Sequence, residues 1–567
     1  MHGEPAYPAG FTHFRYANPD APKGGRLTQG IVGSFDSLNP LIVRGNAFQQ
    51  VRGYVIESLL ARGLDEPFTL YGLLAERVET DDERTYVTFH LDARAHFSDG
   101  QPVTAEDVLF SWQLLRDKGR PNHRAYYSKV TSAEKIGKRA VRFDFGKERD
   151  RELPLILGLM PILPRHAINP EKFDETTFAP PMGSGPYKVA EVRPAESVLL
   201  QRDPDYWGRD LAATRGYYNF DELRFDFFRD ANTWFEAFKR GLYDVRFEKD
   251  PGRWATQYDF PAARQRGLVR EGIKSGQPQP FQVLVFNTRR PPFADVRVRE
   301  ALIELFDFEW ANAKLFHGAY RRSASFFEGS ELSARGRPAD ARESALLAPF
   351  KDAVRTDVLE GKYLPPVSDG SGRDRARLKH ALDLLAAAGF AIRGGRIANA
   401  WGEALSFEIM VATKDDERLA LAYDGMLRRA GVAAQIRFVD GAQYERRRQS
   451  YDFDMMPYTW DQSLSPGNEQ AFYFGAEAAD VPGTRNYMGA KNPAIDAMIA
   501  ALLAARERED FVAAVRALDR VLISGLYVLP LFHLPEDWVA RWPEIERPSE
   551  LSLYGSPIET WWRRVKQ

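Results

Sequence analysis

Residues 74–112, LAERVETDDERTYVTFHLDARAHFSDGQPVTAEDVLFSW, change period partway along. Tyr86, Thr88 and His90 alternate with Val87, Phe89 and Leu91, the two-residue repeat of a strand with one buried face. Asp99-Gly100 marks a turn. Thr104 stands three residues ahead of Asp107, a capping-box pairing with Asp where Glu or Gln is usual. Behind it, Val108, Phe110, Ser111, Trp112 and Leu115 recur at helical spacing. Strand, turn and capped helix in succession predict a small α/β unit.

At 567 residues the chain is too long for one compact core, so at least two domains are expected. With 44% hydrophobic and 28% charged residues, it has the composition of a folded protein. The formal net charge of -2 is too near zero to point to a nucleic acid or an anionic membrane as partner. Arg446-Arg447-Arg448 is a basic run among acids and reads as a solvated helix face. The chain has no cysteine, which excludes disulfides, thiolate zinc sites, a Cys nucleophile and a lipid-modified N-terminal Cys. No apolar run approaches the ~20 residues that span a bilayer. No secretory leader is read, and His2-Gly3-Glu4-Pro5 reads as the start of a mature chain.

Signs of catalysis are sparse. There is no His-Glu-x-x-His and no Gly-x-Ser-x-Gly, and the nine histidines are scattered. Gly370-Ser371-Gly372-Arg373 lacks the Lys-Ser/Thr of a phosphate loop and reads as a helix cap. Glu76, Asp81, Asp82 and Asp99 offer carboxylates that a glycosidase would pair, but their positions read as turns and caps. No catalytic residue, metal site or cofactor is expected.

The stretch at 74–112 resembles a segment of the extracellular solute-binding proteins of the peptide/nickel class, family 5. The resemblance is carried by Leu74-Ala75-Glu76, Asp81-Asp82, Thr85-Tyr86, Phe89-His90-Leu91, Phe97, Asp99-Gly100, Pro102 and Thr104-Ala105-Glu106-Asp107-Val108. GSGPYKV at 183–189 and PPFADVRVREAL at 291–302 resemble two further marks of that family. FTHFRYANPDAPKGG at 11–25 with FDSLNP at 35–40 resembles its YejA-like branch, the binding subunits of Yej-type peptide importers that also handle microcin C.

The resemblance implies an α/β, two-lobed periplasmic binding protein fold with an extra subdomain embedded in lobe one. Lobe one would comprise residues 1–63, 181–278 and 526–567, the embedded subdomain 64–180 and lobe two 279–525, with crossings near Gln279 and Gly525. It implies capture of oligopeptides in the periplasm by hinge closure, a signal peptide removed on export, delivery to the permease subunits of an ABC transporter in the inner membrane, and a monomer.

The remaining elements follow from pattern. Residues 7–23 read as an extended aromatic arm and 26–32 as a strand. Residues 47–60 read as a helix with Phe48, Val51, Val55 and Leu59 on one face. The glycines of 183–185 read as backbone freedom ahead of a strand. The continuous apolar run at 282–287 reads as a buried strand. Residues 333–375 read as a surface excursion. Residues 374–388 read as a helix stopped by Gly389, and 405–438 as a βαβ unit. YVLPLFH at 527–533 reads as the return to lobe one.

Closure of two lobes excludes water, so a charged ligand terminus needs a partner inside. In oligopeptide-binding relatives an Asp of a Trp-containing loop holds the α-amino group. The resemblance gives that place to Asp461 in Thr459-Trp460-Asp461-Gln462, with a surface or capping role as the alternative. The flanks here differ from those relatives and are closer to the Yej-type GQSLSPGNEQ. Trp460 is the expected cleft platform, or a core aromatic. Gln462, Ser463, Ser465 and Asn468 are the polar candidates of the same loop. Phe35 and Asn39 are placed at the cleft edge, Ser325 and Phe326 in a stretch like the Yej-type TSFF, and Asn486 and Tyr487 in one like the family's NY element.

Other readings stay open. The same fold could hold an opine, a sugar or a metal chelate. A secreted glycoside hydrolase is suggested only by eleven tryptophans and abundant acids. A chaperone would bind unfolded chains without hinge closure.

Overall fold

The structure, a computed structural model, describes residues 2–146 and 150–565. Two sheets organise it. The first has seven strands in the order Val269–Ile273, Asp537–Arg541, Val245–Glu248, Arg26–Val32, Glu222–Phe228, Ser197–Arg202, Tyr187–Arg193. Arg26–Val32 runs parallel to Glu222–Phe228, in register from Arg26↔Glu222 to Val32↔Phe228. The second has five strands in the order Ala433–Phe438, Ser406–Val411, Met455–Trp460, Phe281–Phe286, Val528–Pro530. Ser406–Val411 and Ala433–Phe438 are parallel and joined by the helix Lys414–Arg429, the βαβ unit that their spacing predicts.

The apolar run Phe281–Phe286 explains the second lobe. Phe281, Val283 and Val285 face one helical layer, and Leu284 and Phe286 face another. Burial on both faces is why the run shows no alternation. The helices Pro493–Ala504 and Arg508–Ser524 close the first of these layers.

Residues 74–112 fold as read. Tyr86–Leu91 lies inside a four-stranded antiparallel sheet with Ala75–Glu79, Ala140–Asp144 and Ser132–Lys135. Thr104 caps the helix Ala105–Lys118, and its backbone N–H donates to Asp107 Oδ2 at 2.9 Å. This sheet shares one continuous apolar core with the seven-stranded sheet.

Four expectations change. Residues 47–60 form only the short turn Val51–Tyr54, with Gly53 at φ +99°, followed by the strand Leu60–Gly63. Phe48, Val51, Val55 and Leu59 are all buried there, so the apolar spacing marked burial without marking helix. Gly183 and Gly185 are required by close approach: a Cβ on Gly183 would lie 1.9 Å from the Val55 carbonyl oxygen. The stretch at 527–533 stays with lobe two, because Val528–Pro530 pairs with Val283–Val285 and Phe532–His533 pairs with Arg321–Arg322. The chain therefore crosses back after His533, ahead of Asp537–Arg541 in the first sheet. The segment at 333–375 carries two short helices, Ala341–Leu347 and Thr356–Leu359.

Among the described residues no helix is long and apolar enough to cross a membrane.

Candidate functional site

The lobes meet around a cavity of about 690 Å³. Lobe one supplies Trp234, Arg246, Glu248 and Arg253, and lobe two supplies Gln282, His317, Tyr320 and Phe532. Strand Val245–Glu248 aims Arg246 and Glu248 the same way, because side chains two apart share a face. Their side chains are 0% and 3% exposed and paired at 2.9 Å. The Arg246 guanidinium lies 3.6 Å above the Trp234 ring. That packing leaves no room at Gly30, where a Cβ would stand 2.4 Å from Trp234 Nε1.

On the lobe-two side, Gln282 is the cross-strand neighbour of Thr459. Strand Met455–Trp460 ends there, and the loop 461–468 leads into the short helix Glu469–Phe474. This loop holds an unusual number of unsatisfied polar groups. Trp460 Nε1, Gln462 Nε2, Ser465 Oγ and Gln470 Oε1 are buried without a hydrogen-bond partner among the described residues. Gln470 Nε2 donates to Gln462 Oε1 at 2.8 Å, so each amide is half-used. Buried polar atoms without partners are costly and are rare in native proteins. A peptide backbone, with a donor and an acceptor on each residue, is a chemically matched partner for such a loop.

The loop rests against Glu152. Gly467 lies under the Glu152 carboxylate, and a Cβ there would stand 1.9 Å from Glu152 Oε1. Burial pushes the Glu152 carboxyl up to about 7, Glu469 and Asp150 push it the same way, and Lys129 opposes. Arg506 pairs with Glu83 at 2.6 Å and the His2 ring stacks on Phe511 at 4.3 Å, two more contacts of lobe two with the other part of the molecule.

The residues singled out in the sequence divide into two groups. Trp460, Asp461, Gln462, Ser463, Ser465 and Asn468 lie together at the end of the strand and along the loop. Asp461, Ser463 and Asn468 are exposed, and Ser463 Oγ accepts from Ser465 N at 3.1 Å. Trp460 is 1% exposed, its ring packed against Tyr458, Phe326, Phe474 and Tyr487.

The others serve the interior, and no residue of either group is among those lining the inter-lobe cavity. Ser325 Oγ donates to Asp519 Oδ2 at 2.7 Å, and Phe326 packs on Phe281 at 4.5 Å between ring centres. Asn486 is fully buried and spends its amide on Gly475 O, Ala490 O and Ala490 N. Tyr487 packs on Tyr458, and burial raises its hydroxyl above the usual range. Phe35 packs on Phe48 and Phe227. Asn39 donates to Phe173 O and accepts from Leu41 N, at the wall of a separate cavity of about 500 Å³.

Sequence reasoning missed Trp234, Arg246, Glu248 and Arg253. The signal was present as Arg and Glu two apart in a strand, which places a charge pair on one face.

Comparison with known proteins places this site in a family context. The family profile described as "Bacterial extracellular solute-binding proteins, family 5 Middle" matches residues 69–480. A protein of Brucella melitensis is 52% identical over 99% of this chain and 93% of its own length. The peptidoglycan-binding protein YepA of Agrobacterium fabrum is 45% identical, covering 99% of this chain and 94% of that one. The probable peptide-binding protein YejA of the same organism is 40% identical over 99% and 92%. Among solved structures, NikA of Brucella suis in complex with Fe(III)-EDTA superposes with a TM-score of 0.72 at 20% identity, covering 95% of this chain and all of that one.

Proposed function

The chain belongs to the bacterial extracellular solute-binding proteins, family 5, and from that membership we propose that it captures peptides or peptide-like solutes between its lobes for an ABC importer. The observation that carries the reading is the loop 460–470, where four buried polar atoms lack partners among the described residues, in a molecule whose two lobes also wall a cavity between them. The names of YepA and YejA support a peptide-like ligand.

The two crossings, 274–280 and 534–536, are the hinge. Opening exposes the loop and the cavity, and closure buries the ligand from both sides. The ligand drives closure through its preference for the closed state. The site residues of this account are Trp460, Asp461, Gln462, Ser463, Ser465 and Asn468 on lobe two. Ser325, Phe326, Asn486 and Tyr487 pack the lobe-two interior behind them, and Phe35 and Asn39 belong to lobe one. Residues 64–180 act as a subdomain of lobe one against which lobe two closes. The protein works in the periplasm as a monomer, docks on the permease subunits, and releases its ligand chemically unchanged, with no enzymatic step.

Calorimetric titration with tri- to pentapeptides tests this. One-to-one binding of peptides, with no cleavage product, is the expected result. Binding of sugars or metal chelates in preference to every peptide would keep the fold and overturn the ligand.

A further inference from the structure

The cavity wall on lobe one carries a charge that the protein does not balance. Arg246, Glu248 and Arg253 form a cluster whose side chains are 0%, 3% and 11% exposed. It holds two guanidinium groups and one carboxylate. Glu248 is saturated: it accepts from Arg246 Nε, Tyr258 Oη, Lys249 N and Asp250 N, each within 3.0 Å. Arg253 reaches it only at 3.5 Å.

The other nearby acids are committed or remote. Asp250 is half exposed, 3.9 Å from Arg253, and accepts from the Arg253 backbone N–H as a helix cap. On the lobe-two side, Asp416 accepts from Thr413 Oγ1 at 2.6 Å, and exposed Asp415 faces Arg418 at 3.6 Å. Meanwhile Arg246 Nη2, Arg253 Nε and Trp234 Nε1 are buried donors without a partner among the described residues. All three side chains line the inter-lobe cavity.

A buried excess positive charge with donors left over is unfavourable until an anion meets it. Guanidinium groups match carboxylates in geometry and bind them by charge-assisted hydrogen bonds. We propose that Arg246 and Arg253, with the Trp234 N–H, form a carboxylate-binding site that holds the acidic end of the ligand against lobe one. This deepens the peptide reading above and rests on it. Peptides would then lie with the carboxylate toward strand Val245–Glu248 and the remaining backbone toward the loop 460–470. Acid-terminated peptides are the preferred class, and peptides capped as amides are discriminated against.

The test uses the full chain and a mixture of tri- to pentapeptides of Ala, Leu and Ser, each made as the free acid and as the C-terminal amide. The mixture is incubated with protein and desalted, and the retained peptides are counted by mass spectrometry. Acids retained at least tenfold over their amide twins is the expected result. Arg246→Gln/Glu248→Gln, which removes both charges together, should bring acids down to the level of the amides. Arg253→Gln, less buried, should lower the ratio several-fold and serves if the double variant does not fold by circular dichroism. Equal retention of acids and amides by the unaltered protein overturns the carboxylate site and leaves peptide capture standing. An unchanged ratio in the variants also overturns it. Retention of no peptide at all overturns the peptide reading, and this inference falls with it.

Discussion

Glu152 and Gly467 meet across the lobe boundary so closely that a Cβ at 467 would stand 1.9 Å from Glu152 Oε1. A Cβ at 467 would require the Glu152 carboxylate to swing aside. The same contact brings Glu469 and Asp150 into the field of Glu152, with Lys129 as the opposing cation. Lys129 is already paired with Asp150 at 2.6 Å, and Tyr126 is the neutral titratable neighbour. This contact therefore gathers three carboxylates, Asp150, Glu152 and Glu469, against one cation, Lys129.

Closure should depend on pH through Glu152. Its carboxyl titrates at about 7 in the closed seam, against an ordinary value of 4.5. An opening that exposes Glu152 to water would return it to the ordinary range, so the preference for the closed state would be fully present below 4.5 and lost as pH rises through about 7. The closed-to-open ratio is expected to be roughly 25-fold higher at pH 5.5 than at pH 8, about 2 kcal/mol at about 1.4 kcal/mol per tenfold change. Interlobe fluorescence transfer measures this, and Glu152→Gln should flatten the profile. A profile as steep in the variant as in the parent would assign the effect to other groups.

The paired glutamines of the loop should matter for ligand and little for stability. Replacing both partners of a buried hydrogen bond by apolar groups of similar size is close to neutral, within about 1 kcal/mol. Gln462→Leu/Gln470→Leu is expected to keep its unfolding midpoint in urea while binding peptide at least ~10-fold more weakly, about 1.4 kcal/mol. Loss of stability with intact binding is the contrary outcome.

Asp461 is exposed just past the end of strand Met455–Trp460. If it receives an ammonium group on closure, Asp461→Asn should weaken free-amine peptides about tenfold, or ~1.4 kcal/mol, and leave N-acetylated ones unchanged. Equal effects on both, read by calorimetry, would remove it from that role.

Arg520 and Glu343 pair at 2.6 Å with exposures of 0% and 1%, and Arg520 also donates to Val358 O and Arg337 O. This pair ties the segment Ala341–Leu347 to the helix Arg508–Ser524. Glu343→Ala strands the arginine and should cost about 3–5 kcal/mol of unfolding free energy. A change under about 1 kcal/mol in urea denaturation would mean that the segment is not held by this pair.

Much of this was written in local pattern. The capping box at Thr104, the run Phe281–Phe286, and Gly389 closing the helix Arg375–Ala387 are each set by neighbours within a few residues. What the sequence hid depends on distant partners. Val528–Pro530 is apolar enough for either sheet, and only its pairing with Val283–Val285 assigns it to lobe two. The spacing of Phe48, Val51, Val55 and Leu59 satisfied a helical template, yet Gly53 breaks the turn and burial comes from the surrounding core. At the site, the loop 460–470 showed as a polar stretch after a strand. The Arg246–Glu248 pair showed only as two charges two apart in a strand, and the rest of the cluster did not show, because Trp234 and Arg253 converge on it only once helix and strand pack together.

The most direct measurement is native mass spectrometry of the purified chain, followed by denaturation and sequencing of what it releases. Peptide mass at one per protein, intact and leaving unmodified protein behind, is the result this account predicts. A protein that releases a sugar or a chelate, or that returns peptides as cleaved fragments, would contradict it.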